Sequence, residues 1–149
     1  MKLIWSNDLS VGFKAIDDQH KTLINIINKF QSALLSGEGA ESIQSVVNFL
    51  ELYTKVHFST EEKYMEQFQY PNTDTHKQEH KKLIEYLADL KNKIKENPNN
   101  HNLALDLNNK LKIWYAEHIN KIDKHLGAFL KMKKEERNLR IEENIKKAP

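Results

Sequence analysis

The 149-residue chain contains no cysteine. That excludes disulfides, thiolate metal sites and thiol nucleophiles, and it suits a reducing compartment. Proline and glycine are scarce, at 3 and 4 residues, so few positions can break or sharply turn the chain, which points to long helices. No stretch approaches the roughly 18 consecutive apolar residues that a transmembrane helix needs. The opening segment turns polar at Ser6 to Asp8, too soon for a secretory signal. A cytoplasmic protein without membrane contact is therefore expected. Neither sign of charge dominates: 23 Lys and Arg against 21 Asp and Glu leave +2, too little to indicate a nucleic-acid partner. What is present is an ordinary globular balance, 39% hydrophobic and 30% charged, in a chain long enough to bury one core unaided. The unusual feature is histidine, 7 residues, and where those histidines fall.

Hydrophobic periodicity predicts an all-α protein, an antiparallel up-down-up-down four-helix bundle with an N-terminal arm and a C-terminal helical extension. Trp5, Val11 and Phe13 are the expected anchors of the arm. A first helix from about Asp17 to Leu35 carries the stripe His20, Leu23, Ile24, Ile27, Phe30 and Leu34, and Gly37 and Gly39 end it. A second, from about Glu41 to Phe68, carries Ile43, Val47, Leu50, Thr54, His57, Glu61, Met65 and Phe68. Thr73 or Asp74 could cap a third, with His76, His80, Leu83, Leu87, Leu90 and Ile94 on its apolar face. After the break at Asn97-Pro98, a fourth helix from about residue 101 presents Leu103, Leu107, Leu111, Trp114, His118, Ile122, His125, Phe129 and Met132. The bundle is drawn over residues 1–132. The tail, 133–149, is set apart by its dense mixed charge and reads as an extension of the last helix that frays into solvent.

Five histidines of these apolar stripes, His20, His57, His76, His80 and His118, stand out as candidate donors together with Glu61, while Asp123 follows His118 by five residues. Polar groups at core positions must satisfy one another or bind something, because a buried unpaired one costs several kcal/mol, of order 2–7. A metal satisfies them together. His57 and Glu61 are i, i+4 on the second helix, and His76 and His80 repeat that spacing on the third. His118 and Asp123 are expected to reach the same centre from a regular fourth helix, and His20 adds a donor from the first. Seven donors are too many for one ion, and two carboxylates are natural bridges. Imidazole and carboxylate without thiolate suit iron, zinc or manganese. His101 is expected at the surface and His125 as a packed or semi-exposed core residue. Gln19 and Glu79, each preceding a candidate ligand, could orient their neighbours but are placed in solvated positions. Phe58 and Trp114 are read as core packing that could also keep a pocket dry.

At these residues the chain resembles the hemerythrin family, of the single-domain bacterial kind. The resemblance runs through Trp5, Val11-Gly12, Ile16-Asp17, Gln19-His20 and Leu23; then His57-Phe58, Glu61-Glu62, Met65, Tyr70-Pro71, His76, Glu79-His80 and Leu83; then Trp114, His118-Ile119 and Asp123. It implies two non-haem irons, one bound by His76, His80 and His118, the other by His20 and His57. Glu61, Asp123 and a solvent-derived oxo or hydroxo group would bridge them. Counting donors then leaves one open position, on the iron held by His20 and His57, where O2 would bind reversibly and azide would stand in for it. The family implies an O2 carrier, store or sensor rather than an enzyme, and a monomer is expected.

Two other classes remain in view. A di-iron enzyme with oxidase, peroxidase or NO-reducing activity would share the bundle, but oxygen-activating bundles use mostly carboxylates with paired Glu-x-x-His motifs. Here Glu79 and Glu117 directly precede their histidines. A metal-free interaction module would leave all seven donors idle. One departure from the family pattern is Tyr115, where hemerythrins often carry leucine after the tryptophan. It is expected to overlook the site, with its hydroxyl directed either toward bound O2 or toward solvent.

Overall fold

The computed structural model describes residues 2–149. A short 3-10 turn, Asn7–Leu9, lies in the arm, followed by α1 (Lys14–Leu35), α2 (Gly39–Gln67), α3 (Thr73–Glu96) and α4 (His101–Ile113). The last of these continues without a break through a π-helical segment, Trp114–Asp123, into α5 (Lys124–Lys147). There is no strand among the described residues. The result is the expected four-helix bundle, its fourth member a rod made of α4, the π segment and α5. The rod stays helical through Lys147, so the tail is an ordered extension, and most of its residues are exposed.

The helix boundaries follow local chemistry. Gly37 takes a left-handed backbone, φ 83°, and lets the amides of Gly37 and Glu38 fold back onto the carbonyls of Leu34 and Ala33, closing α1. Asn100 caps α4 with its side chain, accepting from the amides of Asn102 and Leu103 at 2.9 and 3.3 Å. Neither Thr73 nor Asp74 caps α3. Asn72 holds the N-cap position without a side-chain bond, and the Thr73 hydroxyl instead donates to the Tyr70 carbonyl at 2.6 Å.

Two apolar clusters flank the middle of the bundle. The larger gathers Leu23, Ile27, Phe30, Ile43, Leu50, Leu87, Leu107, Leu111 and their neighbours from all four members. The smaller joins Met65, Tyr70, Leu126 and Leu130, with Phe13 and Phe68 packed onto it. In each of α2 and the rod, the candidate ligands lie along the chain between residues of the first cluster and residues of the second. They therefore occupy a polar layer between two dry ones.

The arm docks at both ends of its length. Leu3 exchanges two hydrogen bonds with the Asn28 side chain, each 2.8 Å. The Val11 amide donates to the Asp17 carboxylate at 2.9 Å, and buried Val11 lies against Gly127, where a Cβ would meet the Val11 Cα at 2.8 Å. Phe13 packs on Tyr64, ring centroids 4.6 Å apart. Trp5 is half-buried and lies beneath the Lys21 ammonium. Leu9 is buried as well, an anchor that the periodicity of the helices gave no reason to pick.

Candidate metal centre

His20 from α1, His57 and Glu61 from α2, His76 and His80 from α3, and His118 and Asp123 from the π segment converge in the middle of the bundle. None is more than 2% exposed. They fall into two overlapping groups, His20, His57, Glu61 and Asp123, and His76, His80, His118, Glu61 and Asp123; within each, one potential ligand atom per residue lies within 4.8 Å of the others.

The carboxylates divide the site. Glu61 Oε1 faces His57 Nε2 at 3.0 Å and His20 Nε2 at 3.4 Å. Glu61 Oε2 faces His80 Nε2 at 3.0 Å and His76 Nε2 at 3.3 Å. Asp123 repeats the division: Oδ2 lies 3.0 Å from His20 Nε2, and Oδ1 lies 3.0 Å from both His76 Nε2 and His118 Nε2. Each carboxylate thus sends one oxygen to a two-histidine side and the other to a three-histidine side. Both carboxylate oxygens of each residue are buried without a hydrogen-bond partner, as are the Nε2 atoms of His20, His76, His80 and His118. Such a concentration of unsatisfied donors and acceptors is untenable in a dry interior, and cations coordinated by these atoms resolve it. The donor set fits borderline transition metals.

Electrostatics point the same way. Burial alone would raise the Glu61 carboxyl, but the charge of His57 and the close approach of the His20 and His57 rings hold it well below its usual range. Burial and the neighbouring Glu61 charge push Asp123 up; His118 and His20 more than offset both and keep it ionised. Burial lowers His20, yet the Asp123 and Glu61 carboxylates against its Nε2 favour the protonated ring and carry it up to about 10. The same balance takes His76 up to about 9. His80 is lowered, chiefly by burial. Without a metal, then, protons occupy part of the charge-neutralising role.

Aromatic rings wall the imidazoles. Phe58 stacks on His80 and Trp114 on His118, each with centroids 3.8 Å apart, and Tyr53 stacks on His57 at 5.2 Å. These contacts keep water away and limit ring rotation.

The fourth rod departs from the sequence reading. In a regular α-helix, residues five apart are displaced by about 140° around the axis, so His118 and Asp123 would not both face inward. The π segment, whose hydrogen bonds span five residues, stacks them. It also moves the inward face by one residue beyond His118. Asp123, Leu126 and Leu130 are buried where the stripe predicted Ile122, His125 and Phe129. Ile122 and Phe129 are half-buried, and Met132 is exposed. His125 is exposed rather than packed in the core, at the rim of a cavity of about 290 Å³ that it lines with Tyr70, His76 and Glu79. His101 is exposed, as expected.

Gln19 was misplaced as well. It is half-buried, and its side chain bridges His57 and Thr60. Its position, one residue before His20 and so about 100° round the helix toward a neighbour, was the available signal. Tyr115 packs its ring on the larger core cluster, while its hydroxyl is neither buried nor hydrogen-bonded among the described residues.

The fold and the site define a class: a four-helix bundle with a two-compartment histidine and carboxylate metal centre. The family described as Hemerythrin HHE cation binding domain matches residues 11–130, and the chain belongs to the hemerythrin family. It is 35% identical over 121 residues to a bacteriohemerythrin of Methylococcus capsulatus, covering 81% of this chain and 88% of that protein. A bacteriohemerythrin of Stenotrophomonas maltophilia is 30% identical over 117 residues, 78% of this chain and 74% of that one. Among solved structures, a crystal structure of a hemerythrin with leucine replaced by tyrosine superposes with a TM-score of 0.71 at 31% identity, covering 87% of this chain and 98% of that one.

Proposed function

We propose that the protein binds O2 reversibly at two non-haem irons, one held by His76, His80 and His118, the other by His20 and His57, with Glu61 and Asp123 spanning both. The observation that carries this reading is the division of each carboxylate, one oxygen toward two histidines and the other toward three. When bound, the iron pair supplies electrons to O2 and recovers them on release. The chain's own residues do the rest. Neutral imidazoles donate their Nε2 lone pairs, the two carboxylates offset positive charge, and Phe58, Tyr53 and Trp114 keep the layer dry. The two-histidine side has one nitrogen donor fewer, so the open position belongs there, for O2 and for small anions such as azide.

The histidine-rich donor set supports binding over turnover, because bundles that activate O2 rely mostly on carboxylates. No helix among the described residues is long and apolar enough to cross a membrane, and the lack of cysteine suits a reducing environment, in keeping with a cytoplasmic, monomeric carrier, store or sensor. Residues 1–132 form the O2-binding unit in this reading, and 133–149 a charged appendage; the family match ending at residue 130 supports that division.

Iron analysis and anaerobic reduction followed by O2 exposure test the reading. Two irons per chain are expected, with a visible band that forms with O2 and disappears under vacuum over repeated cycles. One metal per chain, or a single irreversible oxidation, contradicts it.

A further inference from the structure

Gln19 and Thr60 form a chain of hydrogen bonds in which each polarity is forced. The Thr60 hydroxyl donates its only proton to the Val56 carbonyl, at 2.8 Å. Its oxygen can then only accept, and it does so from the Gln19 side-chain amide nitrogen, at 3.1 Å. That fixes which way the amide points. Gln19 Oε1 is left facing His57 Nδ1 at 2.7 Å. A carbonyl oxygen has no proton to give, so Nδ1 must carry one. The ring is held from a second direction: Tyr53 stacks on it and donates its hydroxyl to the Gln19 backbone carbonyl at 2.8 Å. Nδ1 of His20, His76, His80 and His118 has no such partner.

We infer that Gln19 is a positioning residue for the metal centre: by accepting from His57 Nδ1 it keeps a proton on that nitrogen and so holds Nε2 toward the two-histidine side as the atom that can donate to a metal. The inference rests on the di-iron reading for its consequence, though not for its geometry. Helix α1 then supplies this compartment twice, with His20 as a donor and Gln19 as the residue that orients the other donor. Because this compartment has one nitrogen fewer, a poorly oriented His57 weakens it more than the loss of one oriented imidazole would weaken the three-histidine side. Outer partners of metal-bound histidines are commonly worth about 10- to 100-fold in metal affinity.

The test uses Gln19→Leu, which keeps the volume but offers no acceptor; Gln19→Glu, which restores an acceptor while letting the Thr60 hydroxyl turn to donate; and Thr60→Val, which frees the amide to flip. Long-range proton–nitrogen NMR of the metal-free protein reads the His57 tautomer, and a chelator challenge of the iron-loaded protein reads metal retention. In the wild type Nδ1 is expected to be protonated, with slow exchange. In Gln19→Leu the Nε2–H form facing Glu61 is expected to appear, and one of the two irons to leave about 10-fold faster or more. Gln19→Glu should recover both properties, and Thr60→Val should shift both in the direction of Gln19→Leu but less. An unprotonated Nδ1 in the wild type overturns the inference. So does a Gln19→Glu variant as impaired as Gln19→Leu, since packing alone would then explain the effect. Should Gln19→Leu fail to fold, a wild-type tautomer and iron release in Thr60→Val overturn it. A protein that takes up no iron at all refutes the di-iron reading, while the tautomer measurement still decides the role of Gln19.

Discussion

Helices α2 and α3 place their ligands in one way, and the fourth rod in another. On α2 and α3 the pairs His57/Glu61 and His76/His80 sit four residues apart on straight α-helices, one turn above the other. On the rod the pair is five apart, and the backbone widens into a π segment to bring both side chains inward. Both solutions deliver Nε2 and carboxylate oxygens at about 3 Å from one another. The ordinary helix leaves the register of everything beyond it unchanged. The widened one resets the inward face by a residue, which is why Leu126 and Leu130 fill the core and His125 does not. Segments of this kind are frequent at functional sites, and here the cause is visible: one carboxylate had to be reached.

The largest expected effect removes what the two sides share. Glu61→Ala or Asp123→Ala should each lower iron content to well under one per chain, because each carboxylate faces both compartments. A variant that keeps one iron in full occupancy would show that the compartments are independent.

Charge offers the next test. In the metal-free protein His20 titrates near 10 and His76 near 9, so both carry protons at pH 7 that iron must displace. Metal uptake should release protons, and affinity should rise with pH by up to about tenfold per unit for each proton displaced, levelling off only toward pH 9–10. The stability that these raised histidines lend the metal-free protein has the opposite sign. It is full below their unfolded value near 6.5 and is lost as pH climbs through 9 to 10. A pH-independent affinity between 6 and 8, measured by competition with a chelator, would contradict the assignment.

Deleting Asn120, an exposed residue within the π segment, probes the comparison directly. It turns the five-residue spacing into four. A regular α-helix then carries both ligands inward and leaves Leu126 and Leu130 in register, so a folded protein with two irons and a modestly lowered melting temperature is expected. Loss of both irons would mean that the wide backbone does more than reset the spacing. Gly127→Ala should cost about 1–3 kcal/mol, measured by denaturant unfolding, because the new Cβ meets the Val11 backbone; iron content should not change. Smallest is His125→Ala, which should leave stability within about 0.5 kcal/mol and the iron count intact.

Much of this was legible in the sequence, for reasons that also explain the misses. The α3 stripe, from His76 to Ile94, is buried residue for residue, because its apolar positions follow one uninterrupted α-helical period. Glycine at 37 and asparagine at 100 announced helix ends through local backbone chemistry. The seven candidate ligands stood out because they are polar residues on apolar stripes. The π segment went unread: a period of 3.6 fits the rod up to His118, and the signal beyond it, Asp123 five residues on with Leu126 and Leu130 in its register, competes with an apolar Ile122 and Phe129 in the unshifted one. Gln19 was assigned to solvent because an amide beside a ligand has no periodic signature, and its partner Thr60 lies 41 residues away.

The N-terminal arm has a consequence for how the molecule opens. Val11 meets Gly127 across 116 residues of chain, and Leu3 is tied to Asn28 by two hydrogen bonds at the surface of α1. The Val11 contact demands that most of the chain be in place before it forms, so that end of the arm is expected to dock late in folding. With no helical hydrogen-bond ladder beyond its one short turn, the arm is also expected to lift away before the helices do. Backbone amides of Leu3 and Val11 should exchange with solvent orders of magnitude faster than those of Leu87 or Leu111. Each such opening uncovers Gly127 on α5, four residues beyond Asp123, and the face of α1 around Asn28, on the helix that carries His20, without unfolding either helix.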